Sequence, residues 1–452
     1  MNCRITLKDA YKKDTSDQDK SLPPLETVER FRKMLKGVDL DILEKTERID
    51  NGRLGIPVFF SQCGKDAREV IGTKKQMGKG GTPQQAEASA VMELAERFSF
   101  FSFCKDPKNF ETGTPVDMKE NALPFGEIAK SVHDDSKELD VSRKIYETLP
   151  MKWAWGFNLT RNDPVLIPFD WFFAINEFNG PSAGNCVEEA ISQGICEVVE
   201  RHVSSRVSRE KISVPGIMPE SATDPLVKEM LGKYKANDIH VFLSDFSLGM
   251  GIPSIGVLAY DPATFPEKSE IVWTAGTTPN PQKALSRALT ETAQLPSDFN
   301  SGANYVASGL PKFKNLDDAS FIRNTQELVS LATLPDISNP NIKIEVENSI
   351  AALKQRGFDV LVINTTHSLL DIPAFYTIIP GAHFRERATG TSVGMFSAKL
   401  ITENNPPDKA YARLLEMDGL LPDKYYVHFY LGTCLLSMGQ PGKALHHLEN
   451  AR

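Results

Sequence analysis

Apolar positions recur every three or four residues over three stretches of the chain, each backed by a polar face. The first runs from about Pro83 to Phe103, the second from about Asn185 to Arg206 and the third from Pro281 to Leu295. At 3.6 residues per turn all three read as amphipathic helices. Val91, Leu94, Ala95 and Phe98 form the apolar side of the first. Ala190, Ile191, Gly194, Ile195, Val198 and Val199 form that of the second. A shorter helix is predicted over Pro24 to Leu35, where proline precedes a first turn containing Glu26 and Thr27.

Apolar runs bounded by turn residues predict strands at Gly55–Ser61, Leu166–Phe173, His240–Asp245, Ile255–Ala259, Ile271–Ala275, Asp359–Asn364 and Ala374–Ile379. A glycine-rich turn, Gly78 to Thr82, leads into the first long helix, and residues 105–150 read as loops and short elements. This interleaving predicts an α/β fold class, layered sheets covered by helices. From about Ala410 the texture is helical, and LGTCLLSMGQPGKALHHLENAR resembles a tetratricopeptide repeat through Leu431, Gly432, Gly439, Ala444, Leu448 and Ala451. Two units follow: residues 1–405, and a helical segment over 406–452. One repeat hairpin cannot bury both its faces, so it is expected to pack on the main unit, a dimer mate or further repeats.

With 452 residues, 41% hydrophobic and 24% charged, the chain has the balance of a globular protein large enough to bury a deep site. No stretch approaches the roughly 18 apolar residues of a membrane span, and the polar N-terminus lacks a secretory apolar run. A cytoplasmic protein is expected, without membrane partners. The net charge of -8 argues against nucleic acid, so any bound phosphate must meet local cations or a metal. The six cysteines (Cys3, Cys63, Cys104, Cys186, Cys196, Cys434) lack zinc spacing and read as reduced thiols, mostly core filler.

The chemistry lies on the polar stripes. SAVMELAER (Ser89 to Arg97) and QGICEVVER (Gln193 to Arg201) repeat one pattern, with Glu93, Glu96 and Arg97 recurring as Glu197, Glu200 and Arg201. Ser89, Glu93, Glu96 and Arg97 fall within an arc of about 100° on the first helix. Asn185, Glu189, Gln193, Glu197 and Glu200 fall within about 120° on the second. Glu188 lies outside that stripe and reads as a surface position. Solvated helix faces mix Lys with Glu, whereas each stripe here lacks Lys and ends in Arg. Four carboxylates from two helices repel unless a cation sits between them, and hard oxygen ligands suit Mg²⁺ bridged to polyphosphate. On the third helix Lys283, Arg287, Glu291 and Gln294 form another stripe, in which Arg287 reads either as a phosphate contact or as part of a solvated Arg–Glu pair. The turn MGKGGT has the wrong glycine spacing for a P-loop and makes Lys79 an optional cation. His202, beside the second ExxER, reads as a packed or surface histidine rather than a base.

GKGGTPQQAEASAVMELAER, NGPSAGNCVEEAISQGICEVVERH and PQKALSRALTETAQL together resemble the three core blocks of YcaO domains. The resemblance spans about Lys20 to Ile401. It implies an ATP-binding fold unrelated to P-loops and kinases, and an enzyme that phosphorylates a backbone amide oxygen in a peptide or protein. A side chain then closes an azoline ring, or an external sulfur donor leaves a thioamide. It implies ATP contacts at Lys20, Thr27, Ser89, Arg97, Ser182, Asn185, Glu189, Gln193, Arg201 and Arg287, and Mg²⁺ ligands at Glu93, Glu96, Glu197 and Glu200. Azoline-forming members carry a Pro-x-Pro-x-Pro tail, and this chain ends LHHLENAR. Thioamidation is therefore expected ahead of cyclodehydration, with an accessory role in methylthiolation of a small-subunit ribosomal protein as the alternative. Expected partners are a peptide or protein substrate, a leader-binding or sulfur-transfer protein, and a second copy in a homodimer.

Overall fold

The computed structural model describes residues 4–50, 52–72, 76–294, 313–384 and 390–451. Cys3 and Leu295 lie outside them. Among the described residues the strands form three sheets. An antiparallel sheet joins β1 (Leu43–Arg48), β2 (Val58–Cys63) and β3 (Gln76–Lys79) in that order. A second sheet runs β4 (Glu111–Gly113), β5 (Met151–Asn158), β13 (Leu361–Asn364), β14 (Ala374–Ile378), β7 (Pro181–Ala183), with β6 (Asp163–Pro168) also paired to β5. The third runs β11 (Val272–Thr277), β10 (Ser254–Tyr260), β9 (His240–Asp245), β8 (Gly216–Ile217), β12 (Leu328–Val329).

The second sheet is buried on both faces, which explains why its strands read as continuous apolar runs. Leu361 and Ile363 join a cluster around Trp153, Trp171 and Tyr376, while Val362 between them joins another around Phe157 and Phe375. The first cluster is completed by α4 (Phe125–Ser131), α5 (Leu139–Tyr146), α6 (Phe169–Asn176), α12 (Val393–Glu403) and α13 (Pro407–Leu420). Opposite, α7 (Val187–Glu210) and α11 (Ile342–Gln355) fill the space toward the third sheet. The third sheet is covered by α8 (Pro225–Ala236) and α9 (Pro281–Ala293), and the short α10 (Ser320–Arg323) packs Ile322 with Leu258 and Ile271. Over the small first sheet lie α1 (Pro24–Lys36), α2 (Lys65–Ile71) and α3 (Pro83–Lys105).

The fold is mixed α/β with a helical C-terminal segment, as the hydrophobic pattern predicts. One predicted feature differs. The strand placed over Leu166–Phe173 ends at Pro168, and helix α6 begins at Phe169. Proline stops the ladder, and Phe169, Phe172 and Ile175 bury at helical spacing. Residues 105–150 contain two helices, α4 and α5, whose Ile128, Ile145 and Tyr146 enter the first cluster. At the C-terminus, α14 (Tyr425–Ser437) and α15 (Pro441–Asn450) form a hairpin. Tyr426, Val427, Leu431 and Cys434 of α14 belong to the same core as Trp153.

Two helices that frame the site lie directly on strands because glycine lets them. A Cβ at Gly78 of β3 would overlap the backbone of Ala86 and Ala90 in α3. One at Gly276 of β11 would overlap Ala284 and Ala288 in α9.

Candidate nucleotide and metal site

Each long helix starts with its own device. Thr82 caps α3 by accepting from Gln85 N–H, with Pro83 in the first turn. Asn280 caps α9 through Gln282 and Lys283 N–H, again before a proline. On α7, Glu189 reaches back to the Asn185 backbone N–H at 3.3 Å and its Nδ2 at 3.1 Å, much as a capping box does. The apolar sides of α3 and α7 are buried as their spacing predicts, so their acidic stripes turn toward each other.

Between them is a cavity of about 330 Å³, within the range of small-molecule sites. Lys20, Thr27, Ser89, Glu93, Glu96, Arg97, Asn185, Glu189, Gln193, Glu197, Arg201 and Arg287 all line it, drawn from segments up to 267 positions apart (287 minus 20). Two candidates stand back from the lining. Ser182 is 1% exposed, its Oγ 3.5 Å from Phe375 O, beneath Gly194 of α7. Glu200 is also buried, and its Oε2 accepts from Thr277 N–H at 3.2 Å and Arg287 Nε at 3.0 Å. Arg287 also donates from Nη1 to Gln193 Oε1 at 3.2 Å, so α9 and α7 are cross-linked at the cavity wall.

The arginines lie beside their own carboxylates. Arg97 stands 3.4 Å from Glu96 and 3.9 Å from Glu93. Arg201 stands 3.7 Å from Glu197 and 4.0 Å from Glu200. Negative charge is still in excess at α3. Burial raises the Glu96 carboxyl well above the ordinary range against the pull of Arg97, and the charges of Glu197 and Glu93 raise it further. Burial also raises Glu93, although Met77 N–H donates to it at 3.1 Å. Among the described residues no three His, Cys, Asp or Glu side chains close on a point as a finished metal cage. A carboxylate-rich wall without histidine or cysteine fits a hard cation that takes the rest of its shell from water and phosphate.

Several lining residues went unremarked in the sequence or were undervalued there. Lys79, at the end of β3, contacts Glu291, and burial, reinforced by Arg287, lowers its ammonium to about 7. Glu291 and Gln294 line the cavity from the α9 stripe, whereas Lys283 of that stripe points elsewhere and pairs with Asp224 at 2.7 Å. Gln18 lines it from the N-terminal segment and carries no pattern that marks it. Glu188 is not a surface position: it is buried and accepts from Lys8 N–H at 2.6 Å. His202 is packed, accepting from His383 N–H at 3.0 Å, and burial together with His383 lowers its imidazole to about 3.

Residues 77–383 match the family model described as YcaO cyclodehydratase, ATP- and Mg²⁺-binding. The chain belongs to the YcaO family. Its cofactors are accordingly ATP and Mg²⁺. An uncharacterised protein of Methanothermobacter thermautotrophicus is 26% identical over 379 residues, covering 79% of this chain and 93% of that protein. The ribosomal protein S12 methylthiotransferase accessory factor YcaO of Escherichia coli is 31% identical over 240 residues, covering 48% of this chain but only 40% of its own length. Among solved structures, YcaO from Methanopyrus kandleri bound with AMPPCP and Mg²⁺ superposes with a TM-score of 0.63 at 23% identity, covering 83% of this chain and 95% of that one. A heterocyclase in complex with substrate and cofactor gives a TM-score of 0.69 at 20% identity over 84% of this chain and 55% of that one. These likenesses establish the YcaO fold. No described helix is long and apolar enough to cross a membrane.

Proposed function

We propose that this YcaO protein uses ATP to phosphorylate a backbone amide oxygen in a peptide or protein, and that an external sulfur donor then converts the amide to a thioamide. The observation that carries the reading is the single cavity in which three blocks of sequence converge carboxylates and arginines with no nucleophilic dyad. Its lining contains neither histidine nor cysteine. Burial pushes the nearby thiols of Cys186 and Cys196 up to about 11 and about 12, which makes both inert.

The amide oxygen attacks the γ-phosphorus, forming a C–O–P linkage, while the bridging bond to the β-phosphate breaks and ADP leaves. Loss of the amide proton gives an O-phosphoimidate. Sulfide adds to its carbon, and phosphate departs with the former amide oxygen, so no oxidant or reductant is needed. In this reading Glu93, Glu96, Glu197 and Glu200 hold Mg²⁺, which neutralises charge on the phosphates. Arg97, Arg201 and Arg287 supply forked donors to phosphate oxygens, and Lys20, Thr27, Ser89, Asn185, Glu189 and Gln193 border the nucleotide. Ser182 supports α7 from beneath. A leader-binding or sulfur-transfer protein would present the substrate or the sulfur, with the enzyme as a homodimer.

The similarity to an accessory factor of a ribosomal-protein methylthiotransferase supports sulfur chemistry, and it also favours a second reading in which ATP binding assists a partner without amide modification. Co-expression with neighbouring genes, followed by intact-mass analysis of their peptide and protein products, separates these. Exchange of oxygen for sulfur, absent in a Glu96→Gln variant, is the expected result. Loss of water would replace thioamidation by ring closure. An unmodified product beside clear ATP binding would establish the accessory reading.

A further inference from the structure

Before α1 begins, the N-terminal segment crosses every element of the site. Lys20 N–H donates to Asp14 O at 2.9 Å, and Lys13 N–H returns to Lys20 O at 2.9 Å, closing a tight loop. Inside that loop Asp17 is only 2% exposed. Its Oδ2 accepts from Gly81 N–H at 2.6 Å and its Oδ1 from Ser286 Oγ at 3.2 Å. One partner belongs to the glycine turn leading into α3, the other to α9. Lys283 Nζ adds a bond to Ser16 O at 3.2 Å. After Asp17 the loop turns inward: Gln18 and Lys20 line the nucleotide cavity, and Lys20 Nζ lies 3.8 Å from Glu189 of α7. The same two residues also border a smaller cavity of about 40 Å³ behind the first, so this stretch of loop is a wall between two spaces.

A carboxylate this deeply buried is retained only where hydrogen bonds compensate its lost hydration. Here the compensation comes from two elements that also meet at the cavity wall, where Lys79 contacts Glu291. We propose that Asp17 is a positioning residue of the nucleotide site. By tying the glycine turn before α3 to α9, it seats the Asp14–Lys20 loop so that Gln18 and Lys20 form one wall of the cavity. Asp17 does not itself touch nucleotide; it acts through Lys20. This rests on the ATP reading above.

The test is the affinity of the full chain for ATP with Mg²⁺, measured by calorimetric titration on wild type, Asp17→Ala, Lys20→Ala and the double variant. Each single variant should bind about tenfold more weakly, and the double variant no more than about twofold weaker than the poorer single, because residues acting through one contact are not additive. A merely structural aspartate would lower the melting temperature yet leave the two losses independent. Independent, multiplying losses would overturn the proposal, as would wild-type affinity in Asp17→Ala. Should Asp17→Ala not fold, Ser286→Ala and Asp17→Asn answer the same question. Each removes one anchor, and each should weaken ATP binding in the same non-additive manner with Lys20→Ala; wild-type affinity in both overturns it. Wild-type protein that binds no ATP would bring down the ATP reading together with this one, whereas strong wild-type binding with additive variants brings down only the role of Asp17.

Discussion

The two ExxER helices carry the same motif and do not use it alike. On α3, Glu96 stands 3.4 Å from Arg97, and its carboxyl is raised well above the ordinary range by burial. On α7, the matching Glu200 has lost its freedom to the protein: Thr277 N–H and Arg287 Nε both donate to it. The difference arises because Arg287 of α9 reaches across to Glu200 midway along α7, whereas the end of β3 beside α3 offers Lys79, which is engaged with Glu291. Repetition in sequence thus marks two halves of one site, but the neighbouring element decides which carboxylate faces only the cavity and which also serves as a strut. Burial favours the protonated form of Glu96 until a cation takes the proton's place. Glu200 joins two layers of the fold through Oε2 as well as facing the site.

The most severe disruption should come from Glu200→Ala, because it removes the Oε2 that accepts from both Thr277 N–H and Arg287 Nε. Leaving that buried arrangement unsatisfied should lower ligand-free stability by about 1–3 kcal/mol in chemical denaturation and also reduce ATP-dependent stabilisation. Glu96→Gln should break the symmetry in the other direction. Ligand-free stability should stay level or rise, since repulsion with Glu93 and Glu197 is relieved, while ATP–Mg²⁺ affinity falls about tenfold or more in calorimetric titration. If the two variants behave identically in both measurements, the division between cavity-facing and bracing carboxylate is wrong.

Arg287→Lys should produce a smaller loss. A lysine keeps the charge but cannot bond Glu200 and Gln193 together as a fork, so affinity should drop about threefold to tenfold with little change in melting temperature. Arg97→Lys on the α3 side, where no such bridge exists, should leave the wall between helices intact and affect only ligand binding.

The smallest effect at neutral pH lies just after the α7 motif, at His202, where α3 carries Phe98. His202 is lowered from the ordinary 6.5 to about 3 by burial and by His383, so it is neutral in the folded protein. The unfolded chain binds the extra proton; stability is therefore fully present above pH 6.5 and is lost as pH falls from there toward about 3. In His202→Gln, which can still accept from His383 N–H, that part of the acid loss should disappear while ATP affinity at neutral pH stays at wild type. Parallel acid profiles for the two proteins would remove His202 as the cause.

How far the sequence alone reached depended on the range of the forces involved. Helix periodicity placed α3, α7 and α9 and turned their apolar sides inward, because one face of a helix is a local property of spacing. The same spacing picked out stripe residues of α3, α7 and α9 that do line one cavity, whereas Lys20 and Thr27 were reached only through the resemblance to YcaO domains. Strand His240–Asp245 was legible to the residue because its apolar run is bounded by turn residues. Tertiary structure decided the remainder. That Glu188 is buried against Lys8, that Glu200 is held by Arg287, and that Gln18 and Lys79 reach the cavity all depend on which elements become neighbours. Hydrogen bonds between positions 64 or 180 residues apart, such as Gly81 to Asp17 and Lys8 to Glu188, leave no periodic trace in a chain. Only the packing of layers brings such groups within bonding distance, and so only the fold could separate carboxylates that await a ligand from those already satisfied.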